Sequence, residues 1–269
     1  MRQPKRITGI EGVARNGVAR VKLPVNNRTF ALTFFTTIAG VAAAVDTVIG
    51  KVTLYVNGLP FWNLPASLIL ARAARDGRTL AVGELPLDFA DPARADKVDE
   101  QITALDLFGE TSFEAELEIL DPVVPGAVGV TGLREFDYGY QADQTGKHIK
   151  QVVKLFTTGK NAVAGQNDID NIPVRDAIQR LTFFGAALPT SFEVDADGKQ
   201  VVQATVDELD SVYKKHGAVA VAGSTPLRFD YTERIDDFLV VKKDLNVRIT
   251  MAAPAALTVM VEALAAGFN

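Results

Sequence analysis

The sequence predicts an all-β chain built as two β-sandwich modules in tandem, each with a short helix between strands. Three observations carry that prediction. Leu32-Thr33-Phe34-Phe35 recurs as Leu181-Thr182-Phe183-Phe184. Downstream of the two copies the punctuation keeps one spacing: Gly58 to Gly198, Gly77 to Gly217, Gly83 to Gly223 and Pro86 to Pro226 are each 140 positions apart. Gly and Pro mark turns, so a constant offset between them points to a fold written twice. Short runs of period two fill the space between the turns, as half-buried strands require.

Taken in chain order, Val21-Lys22-Leu23 is expected to open the first module, echoed by Val153-Lys154-Leu155 in the second. Residues 51–56 place Val52, Leu54 and Val56 on one face and run into Asn57-Gly58. That dipeptide signals a hairpin because a type I′ turn needs positive φ at both central residues. Residues 192–196 before Asp197-Gly198 repeat the pattern. A helix is expected after Asn63 as N-cap, with Pro65 in its first turn, a buried stripe of Leu64, Leu68 and Ala71, and a stop near Gly77. Its counterpart opens on Thr205-Val206-Asp207-Glu208, which fits a capping box, spaces Val206, Leu209 and Val212 helically, and ends at Gly217. Phe113, Ala115, Leu117 and Ile119 alternate in a strand expected to close the first module. Leu257, Val259, Val261 and Ala263 are its expected match, with Glu118 opposite Glu262.

The expected layout is an N-terminal arm at 1–16, a first jelly roll at 17–122, a linker at 123–146 and a second jelly roll at 147–269. The linker holds Pro125 and glycines at 126, 129, 132, 139 and 146, a composition with little regular structure of its own. The second module has extra residues before its Leu-Thr-Phe-Phe, around 161–174, and the first is longer after it, at 38–49; both read as surface loops. Modules of this size with many short strands fit eight-stranded jelly-roll sandwiches, so the whole is a double jelly roll.

Composition narrows the function. With 269 residues, 48% hydrophobic and 23% charged, the chain is an ordinary globular one. A net charge of −5 and a pI near 5.2 argue against sequence-specific nucleic-acid binding, which needs a basic face. Cysteine is absent, which excludes disulfides, thiolate metal sites and cysteine nucleophiles. Residues 1–20 lack the apolar core of a secretion signal. The most apolar stretch, 38–49, is too short to span a membrane and is broken by Asp46, so a soluble product is expected.

Catalytic patterns are missing. The two histidines, His148 and His216, are too few for a clustered imidazole site in either module, and no Gly-x-Ser-x-Gly elbow occurs. No cofactor is expected. Asp168 and Asp170, in Asn167-Asp168-Ile169-Asp170-Asn171, are the candidates for a divalent cation such as calcium, although an Asx-rich turn reads the same way. Phe61 and Trp62 suit either a carbohydrate platform or packing beneath the adjoining helix or into a subunit interface. Arg2, Lys5 and Arg6 form a basic arm, expected to be solvated and mobile, or to touch anionic lipid or nucleic acid if held on an inner, membrane-facing surface.

Several segments, in this order and over this length, carry a resemblance. They are Val21 to Pro24, Val52 to Gly58, the helix through Leu68-Ile69-Leu70, Leu85-Pro86-Leu87-Asp88-Phe89 and Asp168 to Pro173. Phe192 to Gly198, Val206 to His216, Thr225 to Phe229 and Leu257 to Glu262 continue it. Together they resemble the major capsid protein of corticoviruses, in the double-jelly-roll lineage of tectivirus capsid proteins and adenovirus hexon. The resemblance implies a bacteriophage capsid protein without enzymatic activity. It implies a homotrimer forming a pseudo-hexagonal capsomer, and capsomers tiling an icosahedral shell around an internal membrane. Implied partners are further copies of the chain, minor capsid or membrane proteins of the virion and the internal lipid; synthesis is expected in the host cytoplasm. Trimer contacts are expected on the module flanks and on long loops at 36–50 and 157–174. Two other readings stay open: a lectin-like twin β-sandwich with Phe61 and Trp62 exposed on a groove, and a hydrolase with paired buried carboxylates.

Overall fold

The computed structural model describes residues 2–90, 97–139, 151–216 and 222–268. The first half supplies strands β1 (Gln3–Ile7), β2 (Val18–Leu23), β3 (Arg28–Ile38), β4 (Val41–Ala42), β5 (Ile49–Val56), β6 (Leu59–Pro65), β7 (Glu84–Asp88), β8 (Leu105–Asp106), β9 (Phe113–Ile119) and β10 (Val128–Asp137). The second half supplies β11 (Val152–Ala162), β12 (Gly165–Ile169), β13 (Ala177–Gly185), β14 (Pro189–Ala196), β15 (Lys199–Thr205), β16 (Ser224–Arg228), β17 (Leu245–Met251) and β18 (Ala255–Ala265). Helices are α1 (Val45–Val48), α2 (Ala66–Arg75), α3 (Lys97–Thr103) and α4 (Val206–Lys215).

Both halves wind in the same way. In the first, β1-β10-β3-β7 packs over β2-β9-β5-β6; in the second, β11-β18-β13-β16 packs over β12-β17-β14-β15. Numbered within each module, the eight main strands run 1-8-3-6 over 2-7-4-5, which is the jelly-roll winding. Alternation builds these sheets: β2 buries Ala19, Val21 and Leu23 and turns Val18, Arg20 and Lys22 outward. The minor strands β4 and β8 extend the first module's sheet beside β3.

The repeat holds down to register. Leu32 pairs with Leu87 and Thr33 with Pro86; Leu181 pairs with Leu227 and Thr182 with Pro226. The hairpin residues take the positive φ that their letters predict, 52° and 77° at Asn57 and Gly58, 51° and 75° at Asp197 and Gly198. Bulges recur as well, between Leu54 and Tyr55 in one hairpin and Val194 and Asp195 in the other. A second pair of bulges lies at Glu135/Phe136 against β3 and at Ile178/Arg180 against β18.

Several expectations are corrected. The N-terminal arm holds a strand: β1 pairs with β10 over residues 3–7, and Ile7 reaches the core. The stretch 123–146 contains β10, which closes the first module. Gly132 is a packing residue there, since a Cβ would lie 2.9 Å from Ile7 Cδ1 and 3.1 Å from Phe34 Cδ1. The match of β9 with the end of the chain therefore fails. β9 pairs with β2 and β5 as β17 pairs with β12 and β14, whereas β18 corresponds to β10. Likewise Val153-Lys154-Leu155 lies on β11, the counterpart of β1, so the apparent insertion at 161–174 belongs to the sandwich, with residues 161–162 in β11 and 165–169 in β12. The stretch 36–50 is not a loop either: it holds the end of β3, β4 and α1, and Val45 and Val48 are buried.

The helices show smaller departures. Pro65, not Asn63, caps α2, so the buried face is Ala66, Ile69, Arg72, Ala73 and Arg75 rather than Leu68 and Ala71. Thr205 and Glu208 form the reciprocal capping box on α4. Val206 and Leu209 pack against the second core, but Tyr213, not Val212, is the buried residue at the far end. The expected stop at Gly217 lies outside the described residues. Besides the predicted helix, the first module also carries α1 and α3. No helix among the described residues is long and apolar enough to cross a membrane.

Candidate functional site

For a chain with this architecture, the surface with work to do is the one that joins modules. The joint starts at β6 and β11, which run parallel through a Leu155–Trp62 bridge and fuse sheets of both modules into one of eight strands. Trp62 is 1% exposed, and its indole N–H donates to the Val153 carbonyl at 2.9 Å. Phe61 packs on Phe89 and Phe113 and meets Phe268 edge-on, with ring centroids 5.5 Å apart. The first core continues across the joint, taking in Val152, Val153, Leu155, Phe238, Leu264 and Ala265 from the second half.

Beside this apolar seam lies a buried ionic one. Helical spacing brings Arg72 and Arg75 to one side of α2, facing β18. Arg72 Nε donates to Glu262 Oε2 at 2.8 Å and Arg75 Nη2 to Glu262 Oε1 at 2.6 Å, so one carboxylate binds two guanidiniums. Arg75 also donates to Thr182 Oγ1. In the reverse direction Arg180 of β13 donates to Asp76, just past α2, at 2.6 Å and to Asp230 at 2.9 Å, and Arg228 adds a bond to Asp230 at 3.3 Å. Burial by itself would raise the Glu262 carboxyl, but Arg75, Arg72 and Arg180 outweigh it and hold the group well below the usual glutamate range. Burial likewise opposes the charge on Arg180, and Asp230, Asp76 and Glu262 restore it. An apolar seam tolerates sliding; two-pronged guanidinium–carboxylate contacts fix register and angle.

The residues singled out from sequence are dispersed. Asp168 lies on β12 and accepts from Arg248 at 3.1 Å, while Asp170, just past β12, lies 3.6 Å from Lys160. No group of three or more His, Cys, Asp or Glu suited to a metal occurs among the described residues. Arg2 bridges Glu100 and Glu135, each at 2.8 Å, and lies over the Phe30 ring. Lys5 and Arg6 line a cavity of about 210 Å³ with Lys22 and Arg134. His216 caps the C-terminus of α4, and His148 lies outside the described residues. Phe61 and Trp62 are buried, which removes the carbohydrate platform. Of the buried carboxylates among the described residues, Asp137, Asp230 and Glu262 are each bound to arginine and Asp106 accepts from the Phe108 backbone N–H at 3.0 Å, so the first three serve charge neutralisation rather than acid–base exchange.

Sequence reasoning passed over the Arg72–Arg75–Glu262 cluster. Its one signal was a carboxylate inside the apolar run Val259-Met260-Val261-Glu262-Ala263-Leu264.

Comparison with known proteins bears on the same architecture. The family model described as viral coat protein P2 N-terminal domain matches residues 4–129, and that described as viral coat protein P2 C-terminal domain matches residues 151–267. No curated protein matches the sequence. Among solved structures, the major capsid protein P2 from bacteriophage PM2 superposes with a TM-score of 0.87 at 15% identity, over 100% of this chain and 99% of that one. Sulfolobus turreted icosahedral virus gives 0.70 at 9% identity, over 99% and 91%. The PBCV-1 virus capsid gives 0.62 at 9% identity, over 98% and 93%. At such identities the structural likeness speaks for the fold; the two family models speak for the family.

Proposed function

The chain belongs to the viral coat protein P2 family, and from that premise we propose that three copies associate into a six-lobed tile of a bacteriophage capsid. Membership makes it a structural coat protein of a virion, a major capsid protein and not an enzyme. The trimer is the next step. Two modules of one winding, fused side by side, make a third of a six-module ring, and three-fold closure of such chains gives a near six-fold tile. The observation that carries this is the joint at which β6 meets β11 through the Leu155–Trp62 bridge, with a shared apolar core and the Arg72–Arg75–Glu262 cluster beside it, which joins two like lobes into one body.

Such tiles would cover an icosahedral shell around an internal membrane, meeting each other laterally and the minor or membrane proteins of the virion at their ends, after synthesis in the host cytoplasm. The test is the solution mass of the purified protein by light scattering during size exclusion. A mass of about 87 kDa, three times 28.9 kDa, stable on dilution, is expected, with six-lobed particles in electron micrographs. A persistent single-chain mass would overturn the trimer.

A further inference from the structure

We propose that the cavity between β1, β10 and the end of β2 binds a phosphate group, with buried Arg134 as its anchor and the exposed Lys5 and Lys22 at its rim. The site lies within one chain and stands whether or not the chain trimerises.

A missing counter-charge points to it. Six arginines are buried among the described residues: Arg28, Arg72, Arg75, Arg134, Arg180 and Arg228. Five of them meet a buried carboxylate. Arg28 pairs with Asp137, Arg72 and Arg75 share Glu262, and Arg180 and Arg228 share Asp230. Arg134 is the exception. At 4% exposure, its Nε and Nη2 donate to Thr29 Oγ1 at 3.1 and 2.9 Å, and Nη2 donates also to Asn27 Oδ1. These acceptors are neutral, and no Asp or Glu among the described residues pairs with it. Its Nη1 makes no hydrogen bond to the described residues and stays available to a ligand. A buried charge without a counter-charge is costly, and an anion bound beside it offsets that cost.

The surroundings carry the same sign. The cavity, of about 210 Å³, lies where the two sheets of the first module part, with β1 and β10 on one side and β2 on the other. Lys5, Arg6, Lys22 and Arg134 line it, and no acidic side chain does. Lys5 stands directly opposite Arg134 in the ladder, which sets two like charges on one face of the sheet. Such a pair is unfavourable unless an anion lies between its members. Lys5 and Arg6 make no ion pair with the described residues, and Lys22 makes only a long one, 3.9 Å to Glu114.

Arg134 is also held in advance of binding. Its guanidinium carbon lies 4.8 Å from the centre of the Phe136 ring. Asn27, which accepts from it, donates to the Pro24 and Val25 carbonyls and so ties it to the turn after β2. Burial lowers the guanidinium only to about 10, so it is charged at neutral pH. A planar guanidinium fork matches the oxygens of phosphate, and lysines add point charge around it. The cavity is smaller than the roughly 300–1,000 Å³ of drug-sized sites, so its occupant is small. Inorganic phosphate fits that description, as does the phosphate end of an ester whose carbons rest on Leu23, Val25 and Phe136. A phospholipid headgroup offers the same chemistry.

Titration calorimetry of the purified protein with inorganic phosphate and with glycerol 3-phosphate, at constant ionic strength, tests the site. One saturable site per chain is expected. Arg134→Met should weaken it about ten-fold or more, as loss of a charge-assisted hydrogen bond implies. Lys5→Gln, at an exposed side chain that leaves the core intact, should weaken it a few-fold and serves if the methionine variant does not fold. In thermal unfolding, phosphate should raise the wild-type midpoint more than that of either variant. The general stabilisation that phosphate gives by exclusion from protein surfaces would be equal in all three. Vesicles of phosphatidylglycerol distinguish the sources. Co-sedimentation that glycerol 3-phosphate competes away and Arg134→Met abolishes assigns the phosphate to a lipid headgroup. Binding of glycerol 3-phosphate without co-sedimentation assigns it to a free small molecule. No saturable binding, or equal binding by wild type and both variants, would overturn the site. Binding only to a single-stranded oligonucleotide would overturn it in favour of a nucleic-acid surface.

Discussion

Glu262 is the residue on which the joint turns. It sits at 0% exposure between Val261 and Ala263, on the face opposite the core residues of β18, where alternation expects a solvated polar side chain and α2 covers it instead. Its carboxylate serves Arg72 and Arg75, which come from the other module. Glu262→Gln keeps the shape and removes the charge, leaving both guanidiniums buried against a neutral amide. A buried pair broken from one side costs about 3–5 kcal/mol, which should appear as a lower urea midpoint of the tryptophan fluorescence change. The pH dependence follows from the depressed carboxyl. A glutamate in the unfolded chain titrates near 4.3, and Glu262 in the folded chain well below that. Its contribution is therefore complete above about pH 4.3 and is lost as pH falls through the folded value. The wild-type advantage over Glu262→Gln should be constant at neutral pH and shrink in acid. An advantage that grew in acid would contradict the assigned ionisation.

At the scale of elements, β1 shows what the sequence hides. Gln3-Pro4-Lys5-Arg6-Ile7 has one apolar side chain that enters the core, so it reads as a solvated arm. The same composition is what an edge strand uses against unwanted pairing, with proline and basic residues on the open side. Deleting residues 2–7 would leave β10 paired with β3 alone and remove Ile7 from the core, a loss of about 1.5–3 kcal/mol from that side chain alone. A lower thermal midpoint is expected, and an unchanged one would return these residues to the status of a loose arm. β10 was hidden for a related reason: its inward positions include Gly132 and Arg134. Arg134 is buried on Thr29 and Asn27, and burial lowers its guanidinium to about 10. Strands with clean alternation, such as β5, β9 and β14, were legible, as were both type I′ turns and the α4 capping box. The joint was not, because the Arg72–Glu262 contact spans 190 positions and no local pattern encodes it.

At the scale of the whole molecule, the question is whether two modules behave as two domains. Chains of two domains commonly unfold in separable steps. Here the first core includes side chains from the second half, one sheet crosses the boundary, and opening the joint would expose Trp62, Leu155 and the arginines of α2 together. Every one of those costs falls on a state with one module unfolded, so that state should be sparsely populated. The single tryptophan lies at the joint, which makes its fluorescence a reporter of joint opening, while far-ultraviolet circular dichroism reports both sandwiches. At one protein concentration the two signals should trace the same urea transition. In Glu262→Gln the fluorescence change should move to lower urea than the dichroism, because the ionic seam is weakened while each sandwich keeps its own core. Separated transitions in the wild-type chain would mean that the modules are tethered rather than fused. A tethered pair would not hold the angle between its lobes that a closed six-module ring requires.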